Sequence, residues 1–221
     1  MACRAPALTA ADLHLWRIDT SGLTATDAGD IARLSVRERN RAERLLNQDL
    51  RAEYIHVHAQ VRQILALYLD LGPAEIAFNY SETGKPSLQI NPNRIEFNLT
   101  TVTDLSLLVV ARGQPLGIDC ERIRPRNQLM GIARRMFPAA HAETLSRLPD
   151  ERRLQAFYAS WTALEAEVKV DGRGLVRRGQ TAPLAVEIRH FIPAEGLIGA
   201  VARHRLPAFD QWRTLVLVEP R

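Results

Sequence analysis

Residues 161–175 read WTALEAEVKVDGRGL, and residues 116–121 read LGIDCE. In the first stretch Trp161, Leu164 and Val168 recur at i, i+3 and i+7, the spacing of an apolar helix stripe. Glu165 and Lys169 lie at i, i+4 on a neighbouring face. Such a pair is either a helix-stabilising ion pair worth about 0.2–0.5 kcal/mol or a carboxylate beside a cation that a phosphate oxygen can use. Gly172-Arg173-Gly174 stops the helix. In the second stretch strand alternation sends Ile118 and Cys120 to one face and Asp119 and Glu121 to the other. Two carboxylates on one face can hold a hard cation such as Mg²⁺, which binds through one or two carboxylates, water and substrate phosphates. Alternating acids are also what an ordinary solvated strand face shows.

Outward from these stretches, periodicity predicts a long helix over 151–170 and a shorter one over 129–137. Residues 35–69 read as helix in one or two pieces, its first part interleaving Arg37, Arg39, Arg41, Arg44 and Arg51 with acids. Strands are predicted at 12–19, 75–80, 94–99, 105–111, 116–123, 184–191, 197–204 and 212–218. Gly113-Gln114-Pro115 is a turn and a mid-chain joint. It divides the chain into an N-terminal half, 1–113, and a C-terminal half, 114–221. Each half mixes helices with about three short strands, with no close sequence repeat.

The chain has 221 residues, 46% of them hydrophobic, enough for one large domain or two small halves. No apolar run approaches a membrane span of about 20 residues. Residues 1–11 hold one arginine and no apolar segment, so no signal peptide is expected there. Cys3 and Cys120 make neither a disulfide framework nor a metal spacing. A cytoplasmic setting is expected. The net charge of +4 and isoelectric point of about 9.5 suit a phosphorylated cofactor or an acidic protein. Aromatics are 6% and do not interleave with basic residues, which argues against a nucleic-acid surface.

Of 29 basic residues only Lys85 and Lys169 are lysine. Lysine is a compact point charge and arginine a planar fork, so a lysine kept in an arginine-rich chain suits a phosphate oxygen or a proton transfer. Lys85 stands in Gly84-Lys85-Pro86-Ser87-Leu88, where Pro86 fixes the backbone behind it. Phe97-Asn98-Leu99-Thr100 follows.

In this order and spacing, GKPxL, FNL[ST], GIDxE and WTxxEAxxKxxGxGL resemble the surfactin-type 4'-phosphopantetheinyl transferases over about residues 35–175. The resemblance implies an α/β (α+β) fold of two similar halves related by pseudo-twofold symmetry, each a small, mostly antiparallel sheet packed with helices. Coenzyme A, as substrate, and Mg²⁺, with Mn²⁺ an alternative, are expected in the cleft between the halves. It also implies transfer of phosphopantetheine to a serine of an acyl or peptidyl carrier protein, with release of 3',5'-ADP. By resemblance Asp119, Glu121 and Glu165 are the metal ligands, Glu165 the base for the serine, and Lys169 a phosphate contact that assists the leaving group. Lys85, Pro86, Arg51, Arg37, Arg44, Thr100 and Thr101 are the expected coenzyme contacts. Arg124 and Arg126, with Met130 and Phe137, are the expected carrier-docking surface, on a monomer. Two positions depart from the family: Thr101 stands where a phosphate-contacting histidine is usual, and Leu164 where a lysine is usual. These departures leave a second reading open, a degenerate member that binds coenzyme A or a carrier without turnover.

Overall fold

A computed structural model describes residues 5–177 and 184–218. Cys3 lies outside the described residues. Strand β1 (Leu13–Asp19) leads into three helices, α1 (Ala28–Arg33), α2 (Val36–Glu43) and α3 (Gln48–Ala66). Ser35 and Glu38 form a reciprocal capping box that starts α2. Asn47 caps α3 by accepting from Leu50 N–H, so the 35–69 segment is two helices. Short strands β2 (Phe78–Tyr80) and β3 (Pro86–Leu88) pair antiparallel around the Gly84 turn. Strands β4 (Ile95–Val102), β5 (Leu105–Arg112) and β6 (Leu116–Arg122) follow, then α4 (Leu129–Met136), α5 (Ala139–Ser146) and the long α6 (Asp150–Asp171). A four-residue α7 (Gly174–Arg177), β7 (Glu187–Phe191), β8 (Leu197–Arg203) and β9 (Trp212–Val216) complete the described chain.

The strands form two main sheets. The first has the order β4-β5-β1-β9, antiparallel except where β9 lies parallel to β1. The second has the order β6-β8-β7 and is antiparallel throughout. Each is covered by one long helix, α3 on the first and α6 on the second. The run Leu107, Leu108, Val109 and Val110 in β5 is fully buried, as a continuous apolar strand requires. Its odd-numbered members share a core cluster with Leu116, Ile118, Cys120 and Val201 of the second sheet, so the two sheets pack on one another. The last strand, β9, returns to the first sheet, so residues 114–221 contribute to both sheets.

The two sheets abut where the edge strands β4 and β6 meet. Side chains make the join. Asn98 Oδ1 accepts from Ile118 N–H at 2.9 Å, and Thr100 Oγ1 accepts from Cys120 N–H at 3.2 Å. On its other side β6 packs against α6, and a close approach there depends on Gly117. A Cβ at that position would lie 2.0 Å from the Ala166 carbonyl oxygen. Among the described residues no helix is long and apolar enough to cross a membrane.

Candidate active site

The strand β6 and the helix α6 bring the two opening stretches together. As alternation requires, Ile118 and Cys120 enter the core, while Asp119 and Glu121 line a cavity of about 480 Å³ together with Thr100, Thr101, Arg124 and Lys169. Lys169 Nζ donates to Asp119 Oδ1 at 2.7 Å and to Ile118 O at 3.1 Å. The ion pair thus joins helix to strand, where the sequence alone suggested Glu165 as the helix partner. A lysine ammonium has three N–H donors, so Lys169 keeps one without a partner among the described residues. Thr100 Oγ1 also reaches Asp119 Oδ1, at 3.4 Å. The other carboxylate oxygen, Asp119 Oδ2, is buried and has no hydrogen-bond partner. Trp161 Nε1 donates to Glu121 Oε1 at 3.2 Å while its ring stacks on Phe157.

These acids lie close enough to perturb one another. Burial raises the Glu165 carboxyl above its ordinary 4.5, Asp119 and Glu121 push it further, and Lys169 opposes them. Burial likewise raises Glu121, with Asp119 adding to the effect. Asp119 is raised by burial against the pull of Lys169. Yet no group of three His, Cys, Asp or Glu side chains among the described residues is placed to enclose a metal ion. An all-protein cage is not what Mg²⁺ requires, because it keeps waters and shares substrate oxygens. The donor set of hard carboxylates with an orphaned Asp119 Oδ2 fits such a cation.

Glu165 and Lys169 also line a cavity of about 320 Å³ with Thr83, Gly84, Pro86 and Asn98. The turn residues Thr83, Gly84 and Pro86 continue into a third cavity of about 1060 Å³. Its walls carry Arg37 and Arg41 from α2, Arg44 at the C-terminal cap of that helix, Tyr54 and His58 from α3, and Tyr80 from β2. Arg37 lies over the Tyr80 ring at 3.9 Å. The three cavities share lining residues in series, giving one cleft with arginines at one end and acids at the other.

The expected site residues are placed unevenly. Asp119, Glu121, Glu165, Lys169, Thr101, Pro86, Arg37 and Arg44 all line the cleft. Arg51 does not; its Nε and Nη2 both donate to Leu45 O and close the turn between α2 and α3. Lys85 lines the cleft, but its ammonium turns to backbone carbonyls of Leu116, Lys169 and Val170. Burial draws its pKa down to about 8. Thr100 serves the join between sheets. Phe137 is 8% exposed and packs on Phe157, so it is core rather than docking surface. Arg124 and Arg126 are exposed, and Arg126 lies over Trp161 at 5.8 Å. Leu164 is buried among apolar side chains. Sequence reasoning passed over Arg41, although Arg37, Arg41 and Arg44 recur at i, i+4 and i+7. It also passed over the Trp161 indole as a donor to Glu121.

Residues 115–217 match the 4'-phosphopantetheinyl transferase superfamily. The chain is 31% identical over 207 residues to the 4'-phosphopantetheinyl transferase HetI of Nostoc sp., covering 86% of this chain and 87% of that protein. It is 30% identical over 145 residues to a putative 4'-phosphopantetheinyl transferase of Synechocystis sp., covering 65% of this chain and 59% of that one. With the 4'-phosphopantetheinyl transferase Sfp of Bacillus subtilis it shares 26% identity over 136 residues, 58% of this chain and 59% of Sfp. By its mixed α+β fold and by these likenesses, the chain belongs to the 4'-phosphopantetheinyl transferase superfamily, enzymes that transfer phosphopantetheine from coenzyme A to carrier proteins.

Proposed function

We propose that this chain transfers 4'-phosphopantetheine from coenzyme A to a serine of an acyl or peptidyl carrier protein in an Mg²⁺-dependent reaction. The observation that carries it is the Asp119–Lys169 pair with Asp119 Oδ2 left unpartnered, set between two further carboxylates and continuous with the arginine-lined cavity. Arg37, Arg41 and Arg44 suit the phosphorylated nucleotide end of the coenzyme. The N-terminal segment through residue 113 then handles the nucleotide, and the segment after it supplies the acidic strand and the catalytic helix.

Asp119, Glu121 and Glu165 would hold Mg²⁺, which when bound neutralises charge on the pyrophosphate. Lys169 turns its remaining N–H to a phosphate oxygen and stabilises charge on the departing 3',5'-ADP. Glu165 takes the proton of the attacking serine hydroxyl. Without a metal, burial and the neighbouring acids hold its carboxyl above the ordinary value. The new bond joins serine Oγ to phosphorus, and the bond that breaks joins that phosphorus to the oxygen carried off by 3',5'-ADP. One chain builds the whole cleft, so a monomer suffices. The exposed Arg124 and Arg126 beside Glu121 suit an acidic carrier; reversing both charges should raise the carrier KM and leave the coenzyme KM unchanged.

The test is to incubate the protein with coenzyme A, Mg²⁺ and a panel of apo carrier proteins and to read intact carrier mass. A phosphopantetheine-sized gain that a chelator abolishes is expected. Coenzyme A binding without any gain would establish the degenerate alternative instead.

A further inference from the structure

We propose that Lys85 is a positioning residue that clasps β6 to α6 and so sets the separation of the acidic strand from the catalytic helix. The inference rests on the transferase reading. Lys85 Nζ donates to Leu116 O at 3.1 Å, to Lys169 O at 2.6 Å and to Val170 O at 2.6 Å. A lysine ammonium has three donors, and three carbonyls take them, which leaves none for a coenzyme phosphate. Leu116 begins the strand that carries Asp119 and Glu121. Lys169 and Val170 lie in the last turn of the helix that carries Glu165. One cation, reaching from the turn just before β3, therefore binds both elements proposed to furnish the site. Two of its acceptors are carbonyls at a helix C-terminus, where a cation also meets the negative end of the helix dipole. The contact continues along the lysine stem. Gly172 adopts φ 71° at the helix end, and a Cβ there would lie 2.9 Å from Lys85 Cβ. Beside it Thr83 Oγ1 donates to Gly172 O. Glu96 and Asp171 are close enough to favour the charged ammonium.

The two candidate roles for Lys85 predict opposite responses. Lys85→Met keeps the stem and removes the donors. Lys85→Arg keeps the charge, but its planar fork spreads its donors and cannot converge them on three clustered carbonyls. The measurements are kcat and coenzyme A KM by intact carrier mass, and coenzyme A Kd by calorimetry. A clasp predicts that kcat falls about 10–100-fold in both variants, because small misplacements of catalytic groups carry such costs. Coenzyme Kd should stay within about threefold. Weakened coenzyme binding in Lys85→Met, restored in Lys85→Arg, would overturn the clasp in favour of a direct phosphate contact. Wild-type kcat in both variants would also overturn it. If Lys85→Met does not fold, Lys85→Arg decides alone. An inactive wild type would overturn the transferase reading, and the clasp with it; an active wild type with unchanged variants removes the clasp only.

Discussion

Replacing Gly117 by alanine should separate β6 and α6, the two elements of the proposed site, by a distance the structure sets. The added methyl would sit 2.0 Å from Ala166 O, 2.9 Å from Val170 N and 3.0 Å from Lys169 Cβ. Two of these atoms are helix backbone, so no flexible side chain can yield. Real contacts of this kind stay above 3.0 Å, so β6 and α6 must move apart by about 1 Å. Gly117 lies two residues before Asp119, and Ala166 follows Glu165. A misplacement of that size costs about 100-fold in rate. Overpacking of one methyl into a tight contact costs about 1–3 kcal/mol, or about 2–4 °C in Tm per kcal/mol for a chain of this size. The assay is carrier mass against time at saturating coenzyme A, with thermal melting beside it. Gly131→Ala is the control, since the nearest atom to its added methyl would be 3.8 Å away; there stability should rise by about 0.5–1 kcal/mol. A Gly117→Ala protein that melts like wild type would refute the packing argument. One that melts earlier but keeps wild-type kcat would refute the link from packing to catalysis.

Glu165→Gln should nearly abolish transfer and yet raise the Tm of the metal-free protein by removing one of three mutually repelling acids, a gain of about 0.5–2 kcal/mol of the kind active-site substitutions yield. The pH dependence follows with a definite sign. Asp119, Glu121 and Glu165 are all raised, so above their ordinary values of 3.8 and 4.5 the folded state holds protons that the unfolded state has lost. Their contribution to stability is complete below those values and is lost as pH rises through the raised ones; melting across pH 4–8 should show a decline that Glu165→Gln lessens, and an undiminished decline would contradict the assignment. Trp161→Phe keeps the stack on Phe157 and removes the donor to Glu121, so kcat should fall about tenfold with little change in Tm; unchanged kcat would leave the indole only a packing role. Arg41→Ala should raise the coenzyme KM about tenfold through a lost charge-assisted contact, whereas Arg51→Ala should lower Tm and leave that KM alone. The reverse pattern would return Arg51 to the coenzyme site.

The long elements were legible because their apolar periods were unbroken. The core strand β5 and the helix α6 could hardly read otherwise. The elements missed are short or irregularly patterned: α1 spans six residues, α5 follows Pro138 with an alanine-rich run, and β3 begins at a proline. The parallel return of β9 to β1 is a long-range pairing that no local pattern encodes. Within the site, the alternation in LGIDCE told correctly which residues enter the core and which face the cleft. It could not tell that Lys169 would choose Asp119 over Glu165, because that choice depends on how α6 lies across β6. Nor could the three backbone acceptors of the motif lysine at 85 be read from the sequence, because they come from β6 and α6.

The placement of the two lysines follows from what each cation must offset. Lys169 lies among three acids of which one, Asp119, keeps a buried oxygen without a partner. A single ammonium with two donors spent on β6 cannot satisfy that group, and this imbalance is what the proposed divalent cation and pyrophosphate would offset. Lys85 has all its donors on carbonyls, with Glu96 and Asp171 close enough to favour its charge. Arginine in either place would spread its charge over a plane. At Lys169 it would not keep the geometry that meets both Asp119 Oδ1 and Ile118 O; at Lys85 it would fail to draw three carbonyls to one point. On this reasoning Lys169→Arg should lower kcat while leaving Tm near wild type, since charge is kept and geometry lost. A Lys169→Arg enzyme with full kcat would show that the position needs only positive charge, and the compact ammonium would lose its explanation.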